Sequence, residues 1–241
     1  MRKFGLIGFP LTHSFSKKYF TEIFKREGID AIYENFPITD IHDFPQLIKN
    51  EEPEGINVTI PYKESVIGFL DELTDAVQQI GACNCIAIQD GYLKGYNTDI
   101  IGFKVSLRKN LTKEHNKAMV LGTGGASKAV CYVLRQLGIP YIIVSRSAKP
   151  GQYTYDSLTD VIVKEHKLIV NTTPLGMYPK MDDCPDIPYD AIGSGHYLYD
   201  LVYNPEKTKF LQHGEQRGAV IANGYDMLLI QANESRKIWG I

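Results

Sequence analysis

Residues 118–127 read Ala118-Met119-Val120-Leu121-Gly122-Thr123-Gly124-Gly125-Ala126-Ser127. A short apolar strand runs straight into a glycine-rich turn, and a helix follows over residues 126–136. Glycine suits such a turn for two reasons: it accepts unusual backbone angles, and it lets a pyrophosphate approach the main chain. The helix N-terminus then presents free N–H groups and partial positive charge to phosphate. The third position of the G-x-G-x-x-G pattern is Ser127, so the match is partial. An ordinary αβ turn without ligand is the alternative. The context favours the nucleotide reading, because residues 141–144 (YIIV) form a second strand and complete a βαβ unit.

Immediately after that second strand the chain reads Ser145-Arg146-Ser147. An NAD site usually places Asp or Glu there to accept from the ribose hydroxyls. Here no carboxylate is present, while a guanidinium and two hydroxyls are. Arg146 can pair with the 2′-phosphate of NADP, a contact worth about 1.5–3 kcal/mol. A solvated arginine after a strand is the bland alternative.

Outward from this unit, strands are expected at residues 168–171, 197–201 and 219–221, with a last helix over 225–239. Their alternation with helices implies a parallel sheet covered on both faces. Toward the N-terminus, strands are expected at residues 3–8, 31–36 and 55–59. Helices are expected at 16–27, with Ser16 as its cap, at 40–50, and after Pro61. Residues 83–88 and 92–96 should form a hairpin about Asp90-Gly91. The break between halves is placed near residues 99–101, with the charged helix end at residues 108–117 as the alternative.

Three polar segments of the first half sit at strand ends, where open α/β sheets bind ligands. They are residues 8–16 (GFPLTHSFS), 57–63 (NVTIPYK) and 95–99 (GYNTD). Asn57 and Thr59 share a face if the strand extends that far. Lys63, in the first turn of a helix, would face the wrong end of the helix dipole unless a carboxylate held it. Asp99 is the candidate holder. An ammonium paired with a carboxylate suits ketone reduction, where the carbonyl oxygen gains charge and must receive a proton. Taken singly, Lys63 also reads as a surface lysine, and Ser14, Ser16 and Asp99 as helix caps.

These residues resemble the shikimate dehydrogenase (shikimate/quinate dehydrogenase) family across nearly the whole chain. The match comprises residues 8–16, Asn-Val-Thr-x-Pro-x-Lys at 57–63, Gly-Ala-x-Asn at 81–84 and Asn-Thr-Asp at 97–99. It continues through the glycine turn at 122–127, residues 171–177 (NTTPLGM), residues 200–205 (DLVYNP) with Thr208, and Gly224, Met227, Leu228 and Gln231. The resemblance implies an α/β fold of two domains. A substrate-binding domain would span residues 1–99, joined by a returning C-terminal helix at 224–241. A Rossmann-like NADP-binding domain would span 100–223. It implies reversible NADPH-dependent reduction of 3-dehydroshikimate to shikimate, in the biosynthesis of chorismate and the aromatic amino acids. Lys63 and Asp99 would be the catalytic pair. Ser14, Ser16, Asn57, Thr59, Asn84, Asp99, Tyr203 and Gln231 would surround substrate. Gly122, Gly124, Gly125, Ala126, Ser145, Arg146, Asn171, Thr172, Met177 and Gly224 would border NADP. The chain departs from the family at Lys17, Cys85, Ser145 and Asp226, and the stretch 149–167 is short; none of these removes a catalytic group.

Composition sets the outer limits. The chain has 241 residues, 44% apolar and 22% charged, with a formal net charge of −2. That balance argues against general affinity for nucleic acid or acidic lipid. The segment from Met1 does not read as a signal peptide, and no apolar run approaches the roughly 18 residues of a membrane helix. Cys83, Cys85, Cys131 and Cys184 lack zinc-site spacing and read as reduced thiols. No metal is expected. The expected setting is the cytoplasm, as a monomer or homodimer with small-molecule partners. Two rivals stay open: an NAD-dependent quinate/shikimate dehydrogenase, and a non-catalytic nucleotide sensor on the same fold.

Overall fold

The structure, a computed structural model, describes residues 1–11 and 15–241. It divides into two compact units, Met1–Thr98 with Gln231–Ile241, and Asp99–Ile230.

The first unit begins with β1 (Arg2–Gly8), α1 (Phe15–Glu27), β2 (Ala31–Pro37), α2 (Phe44–Glu51) and β3 (Gly55–Val58). It continues with β4 (Glu72–Leu73), α3 (Asp75–Ile80), β5 (Cys85–Gln89) and β6 (Tyr92–Tyr96). Its six strands lie in the order β2-β1-β3-β5-β6-β4. The β2, β1 and β3 strands are parallel; β5 runs antiparallel to both β3 and β6. The β5–β6 hairpin turns on Asp90 and Gly91, at φ 51° and 78°, the left-handed pair that a tight hairpin needs.

Both faces of this sheet are buried, so β1 carries apolar residues in succession rather than in alternation. Phe4 and Leu6 pack with Phe20, Ile23, Phe24, Tyr33 and Trp239 on one side. Ile7 packs with Phe44, Ile56, Val66 and Val77 on the other. The apolar stripe of α1 explains its docking: Phe20, Ile23 and Phe24 are its buried residues.

The second unit holds α4 (Asp99–Leu107), β7 (Ala118–Leu121), α5 (Gly125–Gln136), β8 (Tyr141–Val144), α6 (Asp160–Glu165) and β9 (Leu168–Asn171). It ends with β10 (Tyr197–Asp200), α7 (Lys209–Gln216), β11 (Val220–Ala222) and the first part of α8 (Tyr225–Trp239). Its sheet runs β11-β10-β9-β7-β8, all parallel. Every residue of β7, β9 and β10 is buried, as expected for strands covered on both faces. The strand order reverses between β8 and β9 on either side of β7, the place where such sheets take ligands.

Three local expectations are corrected. Helix α1 starts at Phe15, so Ser16 lies inside its first turn and does not cap it. Residues 40–50 split into a 3-10 turn (Ile41–Asp43) and α2, because Pro45 favours a helix start at that point. No α-helix starts directly after Pro61; a turn leads to a 3-10 segment, Ser65–Phe69. That stretch contains Val66, Ile67 and Gly68, poor helix formers, and its geometry is fixed by Tyr62, whose buried hydroxyl donates to the Ile38 carbonyl at 2.7 Å.

His115 is buried in the second unit, and its Nδ1 accepts the Thr112 N–H at 3.0 Å, which requires a neutral ring. Burial holds its pKa below the usual histidine value. The unfolded chain therefore takes up the proton first, and stability is lost as pH falls below about 6.5. Urea unfolding at about pH 7.5 and about pH 5.5 should show a larger loss for the native chain than for His115→Gln. Parallel losses would contradict this.

Candidate active site

Within the first unit, Asn57, Asn84 and Gln231, three of the proposed substrate residues, share one hydrogen-bonded network. Asn57, near the end of β3, accepts from the buried Tyr33 hydroxyl at 2.9 Å. Its amide donates to Ser235 Oγ at 2.9 Å and to the Asn84 carbonyl at 3.3 Å. Strand β5 begins at Cys85, two residues later than expected, although the Asn84 main chain still bonds Val58 and Tyr96. The Asn84 side chain accepts the Thr98 N–H at 2.7 Å and donates to Thr98 Oγ1 at 3.0 Å and Gln231 Oε1 at 3.3 Å. Gln231 stands one turn before Ser235 on α8, so both reach this network from one helix face.

Thr59 lies just beyond β3, and its N–H donates to the Ile7 carbonyl at 2.9 Å. A side chain at Gly8 would collide with the Thr59 methyl, so glycine there permits the close approach. Lys63 follows in the turn after Pro61, half-buried, and its carbonyl accepts the Cys83 N–H at 2.7 Å. The helix-dipole argument for Lys63 falls with the missing helix. Its backbone is instead pinned by that bond and by the buried Tyr62. Ser14 lies outside the described residues. Asp99 is the first residue of α4 and is 2% exposed. It follows Thr98, which Asn84 holds from both side chain and backbone.

In the second unit, Gly122 has φ +107°, and a Cβ there would lie 2.8 Å from Thr172 Oγ1. A Cβ at Gly124, the N-cap of α5, would meet open space. Ser127 is buried, its hydroxyl donating to the Gly124 carbonyl at 3.0 Å. It braces the turn, which explains a serine in the third fingerprint position. Thr172 N–H and Oγ1 both donate to the Leu121 carbonyl, at 2.9 and 2.6 Å, fastening the end of β9 to the turn. The glycine cradle and the open α5 N-terminus thus fit a dinucleotide pyrophosphate. Ser145 and Arg146 follow β8, with Arg146 exposed. Met177 is exposed, and Tyr203 is half-buried. Gly224 packs on the Leu201 main chain, which leaves no room for a side chain whatever approaches it from outside.

Sequence reasoning missed Tyr33 and Ser235 as parts of the substrate network. For Ser235 the signal was its spacing of one helical turn from Gln231; for Tyr33 no local signal exists. Among the described residues no group of three or more His, Cys, Asp or Glu is placed to hold a metal, and no helix is long and apolar enough to cross a membrane.

A parallel, glycine-turned nucleotide sheet in one unit and a mixed α/β unit in the other define the class of two-domain α/β proteins with a Rossmann-like half. Residues 6–86 match the shikimate dehydrogenase substrate binding domain. The shikimate dehydrogenase (NADP(+)) of Clostridium beijerinckii is 39% identical, over 99% of this chain and 92% of its own. The chain belongs to the shikimate dehydrogenase family. The crystal structure of the Aquifex aeolicus shikimate dehydrogenase superposes with a TM-score of 0.89 at 32% identity, covering 99% of this chain and 92% of that one. The Thermus thermophilus shikimate 5-dehydrogenase, solved in complex with NADP(H) and shikimate, gives 0.89 at 28% identity, covering 100% and 94%.

Proposed function

We propose that this chain catalyses the reversible NADPH-dependent reduction of 3-dehydroshikimate to shikimate, with Lys63 and Asp99 as the catalytic pair. The observation that carries the reading is the Gly122–Thr172 cradle at the crossover between β7 and β9, in a chain whose first unit matches a substrate-binding domain. Residues 1–99 with the C-terminal helix would bind substrate, and residues 100–223 would bind NADP.

Gly122, Gly124, Gly125 and Ala126 offer backbone N–H groups to the pyrophosphate. Asn171, Thr172 and Met177 border the cofactor, and Ser145 and Arg146 receive the 2′-phosphate. Gly224, packed on the Leu201 main chain, borders the nicotinamide end. When bound there, NADPH supplies the hydride. Lys63 donates a proton to the ketone oxygen as charge develops on it, and Asp99 holds the ammonium in place. In the reverse direction Lys63, deprotonated, takes the hydroxyl proton. Ser14, Ser16, Asn57, Thr59, Asn84, Tyr203 and Gln231 orient the ring's hydroxyls and carboxylate. Because Asn57 is already engaged by Tyr33 and Ser235, its orientation is fixed before substrate arrives. The four cysteines are free thiols, which accords with a reducing cytoplasm, where the enzyme would act as a monomer or homodimer.

Initial rates with shikimate and quinate, each with NADP and NAD, test the assignment. Shikimate with NADP should be fastest; quinate with NAD fastest would overturn it. Replacing Arg146 with alanine should raise the KM for NADP about tenfold or more while leaving that for NAD unchanged. Equal effects on both cofactors would remove Arg146 from the 2′-phosphate site.

A further inference from the structure

Asp200, the last residue of β10, is fully buried, and among the described residues no cation pairs with it. It is held by hydrogen bonds alone. Oδ1 accepts from Asn171 Nδ2 at 3.0 Å and from the Val202 N–H at 3.0 Å. Oδ2 meets Thr208 Oγ1 at 2.6 Å. Burial pushes this carboxyl up to about 7, with the three donors pulling the other way.

Each partner belongs to a different segment at the C-terminal edge of the sheet. Asn171 Oδ1 accepts from Thr173 N–H at 3.0 Å and Thr173 Oγ1 at 2.7 Å, which shapes the 171–173 turn. That turn carries Thr172, the residue fastened beside Gly122. Val202 precedes Tyr203, and its carbonyl accepts the Gly224 N–H at 3.2 Å. Thr208 caps α7 and touches the 173–177 loop, where a Cβ on Gly176 would lie 3.2 Å from Thr208 Cβ. A buried carboxylate without a counter-charge is costly, and packing alone would be served as well by an apolar side chain. What an apolar side chain cannot do is hold three loops in one register.

We propose that Asp200 is a positioning residue that sets the wall of the nucleotide site through Asn171, and the Val202–Tyr203 segment through its backbone. This extends the proposed NADP chemistry and rests on it for the kinetic readouts only. The clamp depends on hydrogen-bond geometry, not on net charge. Asparagine at 200 can still accept from Asn171 and Val202 and can donate to Thr208 if that hydroxyl turns.

The test compares the full-length native chain with Asp200→Ala, Asp200→Asn and Thr208→Val. It reads NADPH affinity by calorimetry without substrate, steady-state KM and kcat, and thermal stability. Asp200→Ala should weaken NADPH binding and raise its KM about tenfold or more, with kcat at saturation falling far less. Asp200→Asn should bind NADPH within about threefold of the native chain. Lowered stability with unchanged affinity and KM would overturn the proposal, as would an asparagine variant as weak as the alanine one. If Asp200→Ala does not fold, Thr208→Val decides: about threefold weaker binding supports the clamp, and unchanged binding overturns it. A native chain that binds NADPH but does not turn over shikimate would defeat the proposed reaction while leaving the affinity comparison intact.

Discussion

Replacing Lys63 with alanine is expected to lower turnover by at least about 100-fold, the usual contribution of a positioned general acid. The substitution should leave the fold intact. The Lys63 main chain is held by Cys83 and by the buried Tyr62 next to it, and neither contact uses the lysine side chain. NADPH affinity should also persist, because the glycine cradle lies in the other unit. A loss confined to kcat, with normal melting and normal cofactor affinity, is the expected pattern. Near-normal turnover would defeat the proton-transfer role and revive the reading of Lys63 as a surface lysine.

Trp239→Ala should cost about 3–5 kcal/mol, the usual range for removing a large buried aromatic side chain. Trp239 stacks on Phe4 at 5.0 Å between ring centroids, and its indole N–H donates to the Ile86 carbonyl at 3.0 Å. A side chain at Gly55 would strike the indole, so β3 is built without one there to receive it. The same helix carries Ser235 and Gln231 into the Asn57–Asn84 network. Loosening Trp239 should therefore raise the KM for shikimate along with the loss of stability, measurable by denaturant melts and initial rates. A melt within about 1 kcal/mol of the native chain would contradict the anchoring role.

The strands of the second half were read from sequence to within one residue, whereas helices α4, α6 and α7 were not located. Strands β7, β8 and β9 have the boundaries expected from their sequence; β7 and β9 are buried throughout, and β8 is a partly buried edge strand. The helix expected after Pro61 failed because proline permits a helix start without driving one. Tyr62 burial and the Lys63–Cys83 bond settled that segment instead, and both are tertiary.

The candidate site was legible as a set of residues but not as a network. Asn57 stood out as a polar residue at a strand end. Its partners Tyr33 and Ser235 lie 24 and 178 residues away in the chain, beyond any local pattern. Asp200 and Thr208 entered only as motif residues. Their joint burial under three loops is a property of the folded sheet edge.

The most direct measurement is a crystal structure of the chain with NADP and shikimate bound. Lys63 Nζ should lie within about 3.2 Å of the hydroxyl being oxidised, with the Asp99 carboxylate on the same ammonium. A lysine turned out to solvent, or an Asp99 engaged elsewhere while substrate and cofactor are in place, would contradict the assignment of the catalytic pair.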